Sequence, residues 1–241
     1  MNLIRKGHRQ SHRGVIGVES AIVMIAFVIV AAALAFVVLN MGFSTTQKAK
    51  TTISAGLGEA SSSLEVSGKV TGVGCTSSAS DTTCATTPKL NVTSIPIKVA
   101  SGGDSINLAS ATASIKYLSN TVQYDNIYAG PISSAEYSST TAAFTQATAE
   151  TGSAFDAFNS AHPVTGAVPS STKAIVYWSV QSNTNAILDQ GEHAVVAVAY
   201  SSADRPSALD KVRVEIVVPT GAPLTVERQV PNITTAVVDL G

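Results

Sequence analysis

Asn185, Asp189 and Glu192 fall within the stretch NTNAILDQGEH at residues 183–193. Oxygen ligands gathered in a loop are the chemistry of a Ca²⁺ site. The alternating carboxylates of a dedicated Ca²⁺ loop are missing, and Asp-x-Gly-Glu equally makes a turn with Gly191 at positive φ. The turn is the expectation, which leaves Asp189 and Glu192 as weak metal candidates. Cys75 and Cys84 bracket a short polar loop. An oxidising compartment would close them into a disulfide worth ~2–3 kcal/mol; a reducing one would leave two thiols. No second Cys/His pair stands at ligand spacing, so a metal centre is not indicated. Asn91-Val92-Thr93 and Asn232-Ile233-Thr234 match the N-x-[ST] acceptor of N-glycosylation. His8 and His12 lie near the start, and His162 and His193 belong to no nucleophile or metal motif. GxSxG, HExxH and P-loop patterns are absent. Catalysis and a resident cofactor have no support in the sequence.

Glu19 is the remaining candidate, and its surroundings define it. It precedes the run AIVMIAFVIVAAALAFVVL at residues 21–39, which carries no charge. As a helix this run spans ~29 Å, about the thickness of a bilayer's hydrocarbon core. It is apolar all round, so it must sit in lipid or among helices like itself. A carboxylate left unpaired in such a dry site costs several kcal/mol, so Glu19 needs a partner. Residues 1–14 carry Arg5, Lys6, Arg9 and Arg13 and no acid. A basic end before an apolar span stays in the cytoplasm and sends the rest of the chain outside, where a Cys75–Cys84 disulfide is favoured. Without that leader, 11 Lys+Arg face 16 Asp+Glu, a charge near −5 that gives no reason to expect nucleic-acid binding. Three processing outcomes follow. The chain is cut after residues 33–35, or stays as an uncut anchor, or is cut before the run and keeps the helix. The first is disfavoured because the apolar run continues through Phe36-Val37-Val38-Leu39.

Arg13-Gly14 followed by Val15-Ile16-Gly17-Val18-Glu19 resembles the class III signal peptide of type IV pilins and archaeal flagellins (archaellins). In that family a membrane peptidase of the aspartic type cuts after a Gly that follows a basic residue. The resemblance implies a cut between Gly14 and Val15 and a new amine on Val15. Val15 and Glu19 are one helical turn apart, so they can pair within the chain. The pilin resemblance implies instead that Glu19 pairs with a neighbouring subunit's amine and sets register. NMGFSTTQKAK at residues 40–50 is similar to archaellins at the same place. So are Ile175-Val176-Tyr177-Trp178, Leu188-Asp189-Gln190-Gly191-Glu192, the block at residues 209–222, Leu224-Thr225-Val226-Glu227-Arg228 and the ending Val237-Val238-Asp239-Leu240-Gly241. These later blocks favour archaellin over pilin.

Beyond residue 39 the helix is expected to continue. Ile53, Leu57, Ala60 and Leu64 recur at spacings of four, three and four, and the helix is predicted to end near Gly68. The period then changes to two. At residues 211–218, Val212, Val214, Ile216 and Val218 face one way and Lys211, Arg213 and Glu215 the other. Further strands are predicted at 90–99, 113–118, 121–128, 173–180, 193–200, 224–229 and 234–240. Residues 133–168 read as long surface loops with a short helix around 142–158. The expectation is an α+β chain: a leader at 1–14, a long helix at 15–67, and an Ig-like β-sandwich or barrel at 68–241.

The resemblance implies a structural subunit that polymerises with itself into an archaeal swimming filament at the cell surface. Ile22, Ile25, Phe27, Val28, Leu34, Phe36 and Leu39 would form the filament core. A prepilin-type peptidase, an assembly ATPase and a membrane platform protein would be its export partners, and the precursor would lie in the membrane. An adhesive or DNA-uptake pilin and a membrane-anchored binding protein that never polymerises are the alternatives.

Overall fold

The computed structural model describes residues 13–61, 64–75, 88–150 and 152–241. The chain forms two compact units that divide between Ala55 and Gly56.

Helix α1 runs over Arg13–Ser61. It contains no proline, and its middle is built from residues that tolerate a helix in an apolar setting. The Thr-rich stretch that follows stays helical, with its hydroxyls bonded back to the preceding turn. Thr45 and Thr46 donate to the carbonyls of Met41 and Gly42, and Thr52 to that of Lys48. The helix ends seven residues before Gly68. Leu64 does not extend its stripe. It lies in strand β1 (Leu64–Val66), buried at 6% exposure, while Ile53 and Leu57 stay exposed. Helical spacing at 53, 57, 60 and 64 was therefore partly coincidence. Gly56 and Gly58 weaken the helix by ~1 kcal/mol each, and pairing of Leu64 with Val99 captures the chain into a sheet.

The large sheet takes β1, β2 (Thr71–Cys75) and β3 (Lys89–Val99). A two-residue β4 (Ile106–Asn107) belongs to a separate ribbon, and β5 (Ser114–Ser119) and β6 (Gln123–Tyr124) to a smaller sheet. β7 (Tyr128–Glu136) and β8 (Lys173–Val180) return to the large sheet. β9 (Ile187–Leu188) completes the ribbon with β4. β10 (His193–Ala199) lies central in the large sheet, β11 (Lys211–Val217) and β12 (Leu224–Gln229) complete the smaller one, and β13 (Val237–Asp239) closes the large sheet's edge. The large sheet has the order β13-β2-β3-β10-β8-β7 with β1 beside β3; the smaller has β12-β11-β5-β6. The two pack face to face as a sandwich, not a barrel. Ile95, Ile97, Trp178, Val196 and Val198 from the first meet Ile115, Tyr117, Val212, Val214 and Ile216 from the second.

The large sheet is buried on its other face too. Val92, Ile132, Ile175, Tyr177, Val195 and Ala197 pack against helix α2 (Thr140–Ala149) and a short 3₁₀ turn at Asp156–Phe158. This corrects the reading of residues 133–168 as surface loops: Phe144 and Phe158 are fully buried. It also explains why β8 and β10 are apolar at nearly every position, whereas β11, covered on one side, alternates. The predicted strand at 121–128 divides into β6 and the start of β7.

Candidate assembly surface and maturation sites

The apolar surface of α1 is the largest feature of the chain. Its stretch Gly17–Leu57 is long and apolar enough to cross a membrane. Ile22, Ile25, Phe27, Val28, Leu34, Phe36 and Leu39 are each 60–74% exposed. Small residues, Ala31, Ala32, Ala33, Ala35 and Gly42, alternate with them and let a second backbone approach closely. Glu19 is exposed at the start of this surface. Gly14 and Val15 belong to the first turn of α1.

The candidate maturation sites differ in burial. Cys75 ends β2 and is buried at 4% exposure, whereas Cys84 lies outside the described residues. Asn91 occupies a bulge in β3, where Val73 pairs with Val92 and Gly74 with Leu90. It is buried, its Nδ2 donates to the Pro163 carbonyl (3.2 Å), and its Oδ1 accepts from the Arg205 guanidinium (3.4 Å). In the folded chain this amide is engaged, and a glycan on its nitrogen would displace the bond to Pro163. Asn232 is exposed between β12 and β13.

The loop at residues 183–193 is organised around Glu192. Glu192 is 1% exposed. Its Oε2 accepts from Trp178 Nε1 (3.2 Å) and the Asp189 backbone N–H (3.0 Å), and its Oε1 from the Ser182 N–H (2.7 Å). Asp189 instead accepts from Asn183 Nδ2 (2.9 Å). The two weak metal candidates therefore serve different partners. Gly191 has φ +93°, as the turn requires. Among the described residues no group of three or more His, Cys, Asp or Glu could hold a metal ion. His193 opens β10 with its Nδ1 2.7 Å from Ser67 Oγ. His162 accepts the Thr165 N–H at Nδ1, so its Nε2 carries the proton toward the Thr141 carbonyl and ties the following loop to α2.

Sequence reasoning missed a second buried carboxylate. Asp204 Oδ2 accepts from the hydroxyls of Thr172 (2.6 Å), Ser201 (2.9 Å) and Tyr124 (3.0 Å). Ser201 lies three residues before it, but Thr172 and Tyr124 are far away in the sequence, so the site leaves no local pattern. Burial raises the hydroxyl pKa of Tyr117, Tyr128 and Tyr200, which stay neutral and anchor the core.

A model of the archaeal-type flagellin family matches residues 14–228. The chain belongs to the archaeal-type flagellin family. Over 223 residues this flagellin is 31% identical to probable flagellin 1 of Aeropyrum pernix, a match that covers 91% of this chain and 92% of that one. Over 75 residues it is 47% identical to probable flagellin 2 of Archaeoglobus fulgidus, across 31% of this chain and 36% of that one. Its fold is similar to that in the archaeal flagellum of Methanospirillum hungatei (TM-score 0.53, 22% identity, 92% of this chain and 98% of the other). It is also similar to crystalline flagellin FlaB1 of Methanocaldococcus jannaschii (TM-score 0.53, 16% identity, 74% of this chain and 96% of the other). A flagellin of this family is a structural filament subunit, and so is this chain.

Proposed function

We propose that this flagellin is made as a membrane precursor, cut between Gly14 and Val15, and built into an extracellular swimming filament with α1 in the core and the β-domain outside. The observation that carries this reading is the exposure of every large apolar side chain of α1 from Val18 to Leu57. In water such a surface costs ~25 cal/mol per Å², so it needs lipid or other copies of itself. Moving it from lipid to a bundle gains little hydrophobic energy, because lipid is already apolar. Close packing at the small residues must contribute. An assembly ATPase and a membrane platform would supply the work of extraction, since the chain has no nucleotide-binding motif.

Maturation outside the cell would add a Cys75–Cys84 disulfide and a glycan at Asn232, not at Asn91. Mass spectrometry of subunits from purified surface filaments tests all three steps. The expected chain starts at Val15, lacks two hydrogens relative to its reduced form, and carries any added glycan mass on the Asn232 peptide. A start at Met1 or Phe36 defeats retention of the helix after cleavage. Alkylation of both cysteines without reductant defeats the disulfide, and a bare Asn232 defeats the glycan.

Glu19 would meet the new amine of Val15 on a neighbouring copy and fix axial register. Glu19→Ala is expected to be cleaved normally yet to yield few or no filaments. Wild-type filament numbers by electron microscopy would count against the pairing.

A further inference from the structure

We propose that Leu209 is a contact residue between the β-domains of neighbouring copies, held outward by a strained turn. This deepens the polymer reading and rests on it. Leu209 has φ +71°, a left-handed conformation that bulky side chains rarely adopt. It is the third residue of the Ser207–Asp210 turn, closed by the Asp210 N–H to the Ser207 carbonyl (3.2 Å). Positive φ at that position marks a type II turn, where glycine or asparagine is the usual residue. Elsewhere the chain places glycine in such turns, as at Gly102, Gly191 and Gly221 with φ of +85°, +93° and +93°, or the small polar Ser160 at +59°. At 209 it places a leucine whose side chain is 69% exposed.

The turn leaves Leu209 no relaxed alternative. Its N–H donates to the Val230 carbonyl (2.7 Å), and its own carbonyl accepts from Gln229 Nε2 (3.1 Å). Asp210 Oδ2 accepts from the N–H and hydroxyl of Ser207 at 2.8 and 2.7 Å. Burial alone would raise the Asp210 carboxyl, but the Ser207 bonds, Asn120 and Lys89 outweigh it and lower its pKa, so the anchor is ionised at neutral pH. A strained backbone that presents an apolar side chain to water gains nothing for the isolated subunit. Along a filament of identical chains, the surface available to cover it is another copy. One apolar side chain beside the Gln229 amide and the ionised Asp210 fits an interface contact with a polar rim. The contact is heterologous, because helical polymers join unlike surfaces.

Three variants of the full chain test this. Leu209→Asn accepts positive φ and removes the apolar anchor. It is expected to raise the unfolding midpoint of the detergent-solubilised chain by about 2–4 °C, while its filaments fall apart at a lower temperature than wild type. Leu209→Met keeps the anchor and should retain wild-type filament stability. Leu209→Cys should react with a maleimide severalfold more slowly in filaments than in dissociated chains. Leu209→Asn filaments as heat-resistant as wild type, or equal labelling in both states, would overturn the contact. Failure of the wild-type chain to form filaments would instead overturn the polymer reading.

Discussion

Val28→Lys is expected to abolish filaments while leaving the chain made, membrane-inserted and cleaved. Val28 lies near the middle of the uncharged run and is 66% exposed on α1. A lysine at a bilayer centre costs ~2.5–3.5 kcal/mol on insertion scales, and the flanking apolar residues together offset that. In lipid the long side chain can also reach toward the headgroups. A bundle of identical helices gives no such escape. Every copy would bring one ammonium into the same apolar layer, with no acid nearby on α1 to pair with it. The penalty is several kcal/mol per subunit and repeats along the polymer. Lysine is a good helix former, so α1 itself survives. The β-domain, a separate compact unit, should unfold at its usual temperature. Fractionation should find the mature chain in the membrane, and electron microscopy should find no filaments. Val28→Leu, apolar and similar in size, should assemble. Abundant Val28→Lys filaments would mean that this face of α1 is not buried between copies.

The parts of the fold legible in sequence are those where one periodicity had one cause. β11 alternates because one face meets the core and the other meets water, and β8 reads as a continuous apolar run because both faces are covered. What covers the second face was not legible. α2 is made of Thr and Ala with one Phe and one Gln; it buries only Ala143, Phe144 and Ala147, Thr140 bonds to Tyr177 and Ser94 of the sheet, and Ser139 caps its first turn. β2, the sequence TGVGC, hid behind two glycines that ordinarily signal a break. Packing requires them: a Cβ at Gly72 would come within 2.8 Å of Leu90, and one at Gly74 within 2.5 Å of Ile233. Among candidate sites, the helix surface could be read because an apolar run implies its own solvent. The burial of Asn91 could not, because an acceptor motif carries no information on burial. Glu192 looked like a loop carboxylate because its chief partner, Trp178, sits on another strand.

Glu192→Ala is expected to be as damaging as truncating a large core side chain of the β-domain. It removes the acceptor for three donors at once: Trp178 Nε1 and the backbone N–H groups of Ser182 and Asp189. The indole of Trp178 is fully buried, so its N–H cannot turn to water. Hydrogen bonds to a charged group contribute ~1.5–3 kcal/mol each, and an abandoned buried donor costs ~1–3 kcal/mol. The Ser182 end is exposed and can recruit water, so the sum should fall near ~3–5 kcal/mol. For a domain of this size that lowers the unfolding midpoint by roughly 6–20 °C. Glu192→Gln keeps the shape and one acceptor oxygen. If that oxygen stays with Trp178 and Asp189, the amide faces the Ser182 N–H, donor against donor. An intermediate loss is expected. Asp189→Ala removes only an exposed bond from Asn183 and should cost less than ~1 kcal/mol. The ranking separates two architectures for this loop. In a cation site both carboxylates would act on the same ion, so the two alanine variants would behave alike and a chelator would lower the wild-type midpoint. In a carboxylate clamp they differ by several kcal/mol and a chelator does nothing. Calorimetry of wild type, Asp189→Ala and Glu192→Ala, with and without chelator, decides between them, and the geometry of Glu192 favours the clamp.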